Sequence, residues 1–175
     1  MNHSRQRRRL LVAMGAAALL PLGPAMAWLN PLEDGQPAPA LRLPDLSGNS
    51  IDLESYRGKV ILVNFWATWC PPCIRELPSM RRLKETLGSE GLEILAVNRQ
   101  ESPRRVAQFL KQTPVNFPVL LDESAESSKA WNAEVLPTSF LVGPGGHIRY
   151  TAVGPLDWDS EEVLSVIRPM LPGKK

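Results

Sequence analysis

The chain is predicted to fold as an α/β protein, a central mixed β-sheet flanked by helices, on three observations. Residues 60–66, Val-Ile-Leu-Val-Asn-Phe-Trp, form an almost unbroken apolar run, as expected of a strand buried on both faces. After Pro71, Ile74, Leu77, Met80, Leu83 and Leu87 recur at three- and four-residue spacing, a helical period. Further on, Ser139–Val142 and His147–Thr151 flank Gly143-Pro144-Gly145-Gly146, an antiparallel hairpin. Strands and helices that alternate in this way give a single α/β domain with a parallel centre and an antiparallel edge hairpin.

Composition sets the bounds. A chain of 175 residues suits one domain and a short extra segment, and 43% hydrophobic with 22% charged residues is ordinary for a globular protein. Four of the 20 basic residues are Arg5, Arg7, Arg8 and Arg9, in a leader without acids; the remaining 16 face 18 acidic residues. That slightly acidic body has no basic cluster and gives no basis for nucleic-acid binding. Two cysteines exclude a multi-disulfide scaffold and a four-thiolate zinc site, and with only His3 and His147 as imidazoles no metal site or cofactor is expected.

Residues 1–27 read as a signal peptide, with a basic start, an uncharged apolar stretch from Leu10 to Leu20 and Ala25-Met26-Ala27 as the cleavage pattern. The competing reading is an uncleaved anchor over residues 10–29, against which Pro21 and Pro24 break the helix. Arg7-Arg8 loosely matches a twin-arginine signal, although an ordinary arginine-rich start accounts for it. Either way the body is expected outside the cytoplasm, in the periplasm.

Residues 28–37 are read as a linker or extended entry strand, ahead of a domain over 38–172. Leu41–Leu43 and Ser50–Leu53 alternate around Gly48-Asn49 as an N-terminal β-hairpin. Gly88 stops the helix that begins at Pro71, and Pro78 is expected to kink it. Leu92–Val97 is a second buried strand. Ser102-Pro103 then opens a helix that lasts until Pro114. A short apolar segment, Phe117–Leu121, precedes a small helix over Ala125–Trp131, and Asp159 with Glu162 suggests a capping box for the last helix.

The chemistry lies between the first buried strand and its helix, at Trp69-Cys70-Pro71-Pro72-Cys73. A thiolate is the attacking species in disulfide exchange, and its pKa sets how much of it exists. Cys70 falls at the start of the helix, where the macrodipole and unpaired backbone N–H groups stabilise an anion. Pro71 and Pro72 carry no N–H, so the Cys73 amide is the nearest donor, and a depressed Cys70 pKa with few supporting donors is expected. Cys73, one turn in, is the resolving thiol. A bridge across three residues closes a tiny loop and removes little unfolded-state entropy, so a purely structural disulfide is the weaker reading.

The run Val60–Cys73 resembles the active-site region of the thioredoxin superfamily. Cys73-Ile74-Arg75-Glu76-Leu77-Pro78, Ile94–Asn98, Val115–Val119 and Leu136–Leu141 are similar to the exported TlpA/ResA-like thiol–disulfide oxidoreductases, including those of cytochrome c maturation. The resemblance spans roughly Pro37 to Pro169. It implies a thioredoxin fold, a reversible Cys70–Cys73 disulfide and reduction of extracytoplasmic protein disulfides, apocytochrome c or another exported protein among them. A membrane electron donor is implied as well, and the protein is expected to act as a monomer.

The resemblance also implies roles for neighbours. Pro137 matches a cis-proline that faces the cysteines, and the backbone at Leu136 matches one that pairs with substrate peptide. Asn64 stands where thioredoxins carry a buried aspartate, and Glu76 matches a glutamate able to raise cysteine pKa values and accept the Cys73 proton. Helix periodicity alone makes Glu76 a solvated surface residue. Glu101 matches a further family acid. Trp69 is expected on the partner-facing surface, whereas Trp66, Trp131 and Trp158 are expected in packing roles. Other readings of the cysteine pair are a disulfide-forming oxidant and a Cu(I)-binding dithiol, although no Met/His cluster accompanies it. A thiol peroxidase is disfavoured, since Ala67 sits where peroxiredoxins place a threonine.

Overall fold

The computed structural model describes residues 29–173. The signal-peptide reading of residues 1–27 lies outside them. Six strands form one sheet: β1 (Asn30–Pro37), β4 (Val60–Trp66), β5 (Leu92–Arg99), β6 (Val119–Asp122), β7 (Thr138–Val142) and β8 (His147–Val153), in the order β1-β8-β7-β4-β5-β6. Strands β4, β5 and β6 run parallel, and β7, β8 and β1 are added antiparallel. A separate two-stranded hairpin, β2 (Arg42–Pro44) with β3 (Ser50–Asp52), is the one expected at the N-terminus. Asp45 shapes its turn by accepting from the Ser47 and Asn49 amides at 2.8 Å each.

Strand β4 is buried along its whole length because both faces are covered. Val60, Leu62 and Trp66 point into one core with Leu77, Met80 and Leu83 of helix α1 (Pro71–Leu87) and Val163 and Ile167 of α4 (Glu161–Ile167). Ile61, Val63 and Phe65 point into a second core with Leu41, Leu53 and Trp131. At period two, Asn64 falls on the face that α1 covers.

Of the two readings of residues 28–37, linker or extended entry strand, the structure shows the strand: Asn30–Pro37 is edge strand β1, paired with β8. Its prolines suit that place, because an edge strand tolerates residues that cannot donate to a ladder. Two other expectations need correction. The β7–β8 hairpin is therefore interior, flanked by β4 and β1, and not an edge. The short apolar segment 117–121 supplies β6, which extends the parallel centre beyond β5.

Two helix starts also differ in detail. Ser160, not Asp159, caps α4 by accepting from the Val163 amide, while Asp159 pairs with Arg82 at 2.5 Å. Ser102 occupies the N-cap position of α2 (Pro103–Gln112) without a side-chain cap bond. Pro78 sits inside a helix that continues to Leu87 and Gly88. The small helix α3 covers Glu126–Ala130. Among the described residues no helix is long and apolar enough to cross a membrane.

Candidate active site

The cysteine pair stands where β4 gives way to α1. A turn closed by the Cys70 amide on the Ala67 carbonyl (3.2 Å) carries the chain from the strand into the helix, with Cys70 as its N-cap. Cys70 and Cys73 are joined as a disulfide, and both are buried. The Cys73 amide donates to the Cys70 sulfur at 3.4 Å, and Ile74 N–H to the Cys70 carbonyl at 3.1 Å. With prolines at the two intervening positions, Cys73 N–H is the first amide of the helix able to reach that sulfur.

Strand register assembles the neighbours. Phe65 lies opposite Thr138, so the chain leaving β4 for Cys70 runs beside the chain entering β7 from Pro137. The Leu136–Pro137 peptide bond is cis. Leu136 is half-buried against both cores. Trp69 is 58% exposed and, with Val135 and Val153, is one of the exposed large apolar side chains among the described residues. All three sit at the same end of the sheet, since Val135 precedes Leu136 and Val153 pairs with Thr138.

The reading of Glu76 as a solvated surface residue is overturned: it is only 2% exposed. Its Oε1 accepts from Asn64 Nδ2 at 2.7 Å, and its Oε2 from Trp158 Nε1 at 3.1 Å and the Leu156 amide at 3.2 Å. Burial raises its pKa to about 7, against the lowering pull of the Asn64, Trp158 and Leu156 donors. The spacing of Cys73, Glu76, Met80 and Leu83 is itself helical, so Glu76 shares the buried stripe, a signal available in the sequence. A cleft of about 260 Å³, lined by Arg75, Ser79, Arg82, Leu156 and Asp157, runs from Glu76 to solvent.

Trp158 is more than the packing residue expected. Its indole N–H holds Glu76, and its backbone amide donates to Ser79 Oγ at 3.1 Å, fixing the β8–α4 loop to α1. It lies 82 residues from Glu76 in sequence, and no local pattern marks the contact.

A second carboxylate flanks the turn. Glu101 is 6% exposed and accepts from the Thr68 amide (2.6 Å) and hydroxyl (2.5 Å), from Asn98 Nδ2 (2.8 Å), and pairs with Arg105 at 2.7 Å. Burial pushes its pKa up, but the Thr68 and Asn98 donors and the Arg105 charge outweigh it and hold the carboxyl below its usual range. Two buried carboxylates thus sit around one disulfide with opposite tuning: Glu76 titrates near neutrality, and Glu101 stays an anion that braces Thr68, two residues before Cys70.

Comparison with known proteins agrees with this arrangement. The redoxin family model matches residues 33–167. The chain is 34% identical over 173 residues to the thiol-disulfide oxidoreductase ResA of Bacillus subtilis (strain 168), covering 94% of this chain and 97% of that one. It is 38% identical over 136 residues to the ResA of Geobacillus kaustophilus (strain HTA426), covering 77% and 78%. Among solved structures, a thiol:disulfide interchange protein of the thioredoxin family from Chlorobium tepidum TLS superposes with a TM-score of 0.67 at 30% identity, over 79% of this chain and 97% of that one. StoA from Bacillus subtilis superposes with a TM-score of 0.60 at 29% identity, over 68% and 90%. With its cysteine pair bridged at the start of α1 in a thioredoxin-like fold, the chain belongs to the redoxin family and is a thiol–disulfide oxidoreductase of the ResA type.

Proposed function

We propose that the protein reduces disulfides in exported proteins, using Cys70 as nucleophile and Cys73 as resolving thiol. The observation that carries this reading is the Cys70 sulfur at the N-cap of α1, with the Cys73 amide on it and the buried Glu76 one turn beyond Cys73. The Cys70 thiolate attacks one sulfur of the substrate disulfide, forming a mixed disulfide and releasing the other substrate sulfur as thiolate. Cys73, its proton passed to Glu76, then attacks the Cys70 sulfur; the Cys70–Cys73 disulfide forms and the substrate leaves with both thiols reduced. Glu76 suits the second step because burial holds its pKa at about 7, near the working pH of a proton acceptor.

Trp69, Leu136 and Pro137 form the docking edge in this scheme. The exposed Trp69 ring offers an apolar contact, and the backbone around Leu136 and Pro137 is where an extended substrate segment pairs. The basic-then-apolar leader and the likeness to ResA proteins support a periplasmic reductase that acts on apocytochrome c or another exported protein and is recharged by a membrane electron donor. The deciding measurement is the reduction potential of the pair. A value nearer about −270 mV than about −120 mV is expected for a reductant, and the higher value reverses the direction to that of an oxidant.

A further inference from the structure

Two exposed arginines flank the cysteine turn. Arg105, in the first turn of α2, uses its Nε on Glu101 Oε1 at 2.7 Å and on Thr68 Oγ1 at 3.0 Å. Its side chain is still 60% exposed, and its two terminal NH2 groups make no hydrogen bond with the described residues. Arg104, the residue before it, is exposed and pairs with no described acid. Helix stability does not account for either position. Cations in a first turn oppose the macrodipole, and α2 carries no acid there, whereas α4 begins with Glu161 and Glu162. Arg105 at least braces Thr68, but Arg104 makes no bond that explains its place.

At this end of the sheet, charge separates between the two faces. Helix α2 packs on the first core through Val106, and Cys70 and Cys73 belong to that same core. The exposed acids Glu123, Glu126 and Glu134 belong to the β6–β7 connection, which packs on the second core through Trp131 and Ala133. Arg99 is drawn to that connection, its Nη1 donating to the Glu134 carbonyl at 3.0 Å. On the α1 flank the charges cancel: Arg75 and Arg82 line one cleft with Asp157, and Arg82 also pairs with Asp159. Glu101 is the acid beside α2, and it is buried under the Thr68, Asn98 and Arg105 donors. The cysteines thus share their face with two exposed cations and one buried anion.

A polypeptide whose sulfur reaches Cys70 brings its neighbouring residues past this flank. Thr68, which Arg105 touches, is two residues before Cys70, a span of at most about 7 Å. We propose that Arg104 and Arg105 form a docking site for acidic polypeptide, so that the protein prefers disulfides with an Asp or Glu within about three residues of the reacting cysteine. The free fork of an arginine suits a carboxylate, which accepts two parallel bonds from it. Trp69 supplies the apolar part of the same contact, and the arginines supply its charged part. Exposed charge pairs contribute little to affinity but steer encounter, so the preference belongs to the association step. The inference rests on Cys70 as the cysteine that meets substrate and names the class of polypeptide that reaches it.

The test uses the reduced full chain and three synthetic peptides, each with one intramolecular disulfide and with Asp, Ser or Lys flanking both cysteines. Each second-order rate is divided by the same peptide's rate with dithiothreitol, which removes the effect of the flanking charge on the disulfide itself. At low ionic strength the Asp peptide is expected to react about three- to tenfold faster than the Lys peptide, and high salt is expected to close the gap. Arg104→Glu is expected to abolish or reverse the gap with the Ser peptide unaffected, and Arg104→Lys to keep it. Arg149→Glu, the same change of charge beside the β7–β8 turn, is expected to keep it too. Equal corrected rates, or a gap that Arg104→Glu leaves intact, overturn the inference. So does a gap that Arg149→Glu removes as fully, since that is an effect of net charge. Loss of binding to phosphatidylglycerol vesicles in Arg104→Glu, with peptide rates unchanged, assigns the arginines to a lipid surface instead. If the reduced protein attacks none of the peptides, the reductase reading fails. The charge preference is then read from oxidation of the same peptides, as dithiols, by the disulfide form.

Discussion

Asn64 and Glu76 meet inside the protein, amide nitrogen to carboxylate oxygen at 2.7 Å, although they belong to a strand and a helix separated by the cysteine turn. The pair puts an ionisable group behind the disulfide and ties its protonation to the sheet.

Glu76 makes stability depend on pH. Its folded pKa of about 7 lies above the ordinary 4.5, so the folded state favours the neutral acid. The stability this supplies is complete below about 4.5 and is lost as pH rises through about 7. Glu76→Gln removes that dependence. Chemical denaturation of the oxidised proteins is expected to show the variant gaining on the wild type from pH 5 to pH 8, by up to about 3 kcal/mol. Parallel curves would mean that the buried carboxyl does not titrate in this range.

Trp158→Phe keeps a ring in the core and deletes the N–H that reaches Glu76 Oε2. Loss of a donor to the anion is expected to raise the Glu76 pKa by roughly one to two pH units, since a hydrogen bond to a charged group contributes about 1.5–3 kcal/mol. Carbon-detected titration of the carboxyl measures it.

Glu101 has the opposite sign. Its folded pKa lies below the ordinary value, so its stabilisation is present above that value and lost as pH falls through the folded pKa. Glu101→Gln breaks the Arg105 pair and weakens the hold on Thr68. A loss of about 1–3 kcal/mol at pH 7, shrinking on acidification through the lowered Glu101 pKa, is expected in urea melts.

Cys73→Ser should leave the mixed disulfide unresolved. Incubated in its reduced form with a disulfide-containing exported protein, it is expected to form a covalent adduct seen on non-reducing gels and released by thiol, while Cys70→Ser forms none. Adducts through Cys73 would exchange the roles given to the two cysteines.

Trp69→Ala tests docking without touching the core. Because the ring is largely exposed, stability is expected to stay within about 0.5 kcal/mol. The KM for a protein disulfide is expected to rise several-fold, with reactivity toward a small disulfide unchanged.

Much of this was legible in the chain. The apolar run of β4, the period of α1 and the Cys-Pro-Pro-Cys spacing determine a buried strand feeding a helix with a cysteine at its cap, because these depend on neighbours in sequence. Residues 28–37 stood between a linker and an extended strand, since only pairing with β8 creates the outer position that their prolines tolerate. The environment of Glu76 came from still farther away. Periodicity places its Cα on the inner stripe of α1, but Trp158 and Leu156, some 80 residues on, and Asn64 on the facing strand decide that it is buried, bonded and titrating near neutrality. Local pattern determines which groups are present and which way they point, whereas desolvation and hydrogen bonding act through space, and only the folded chain decides them.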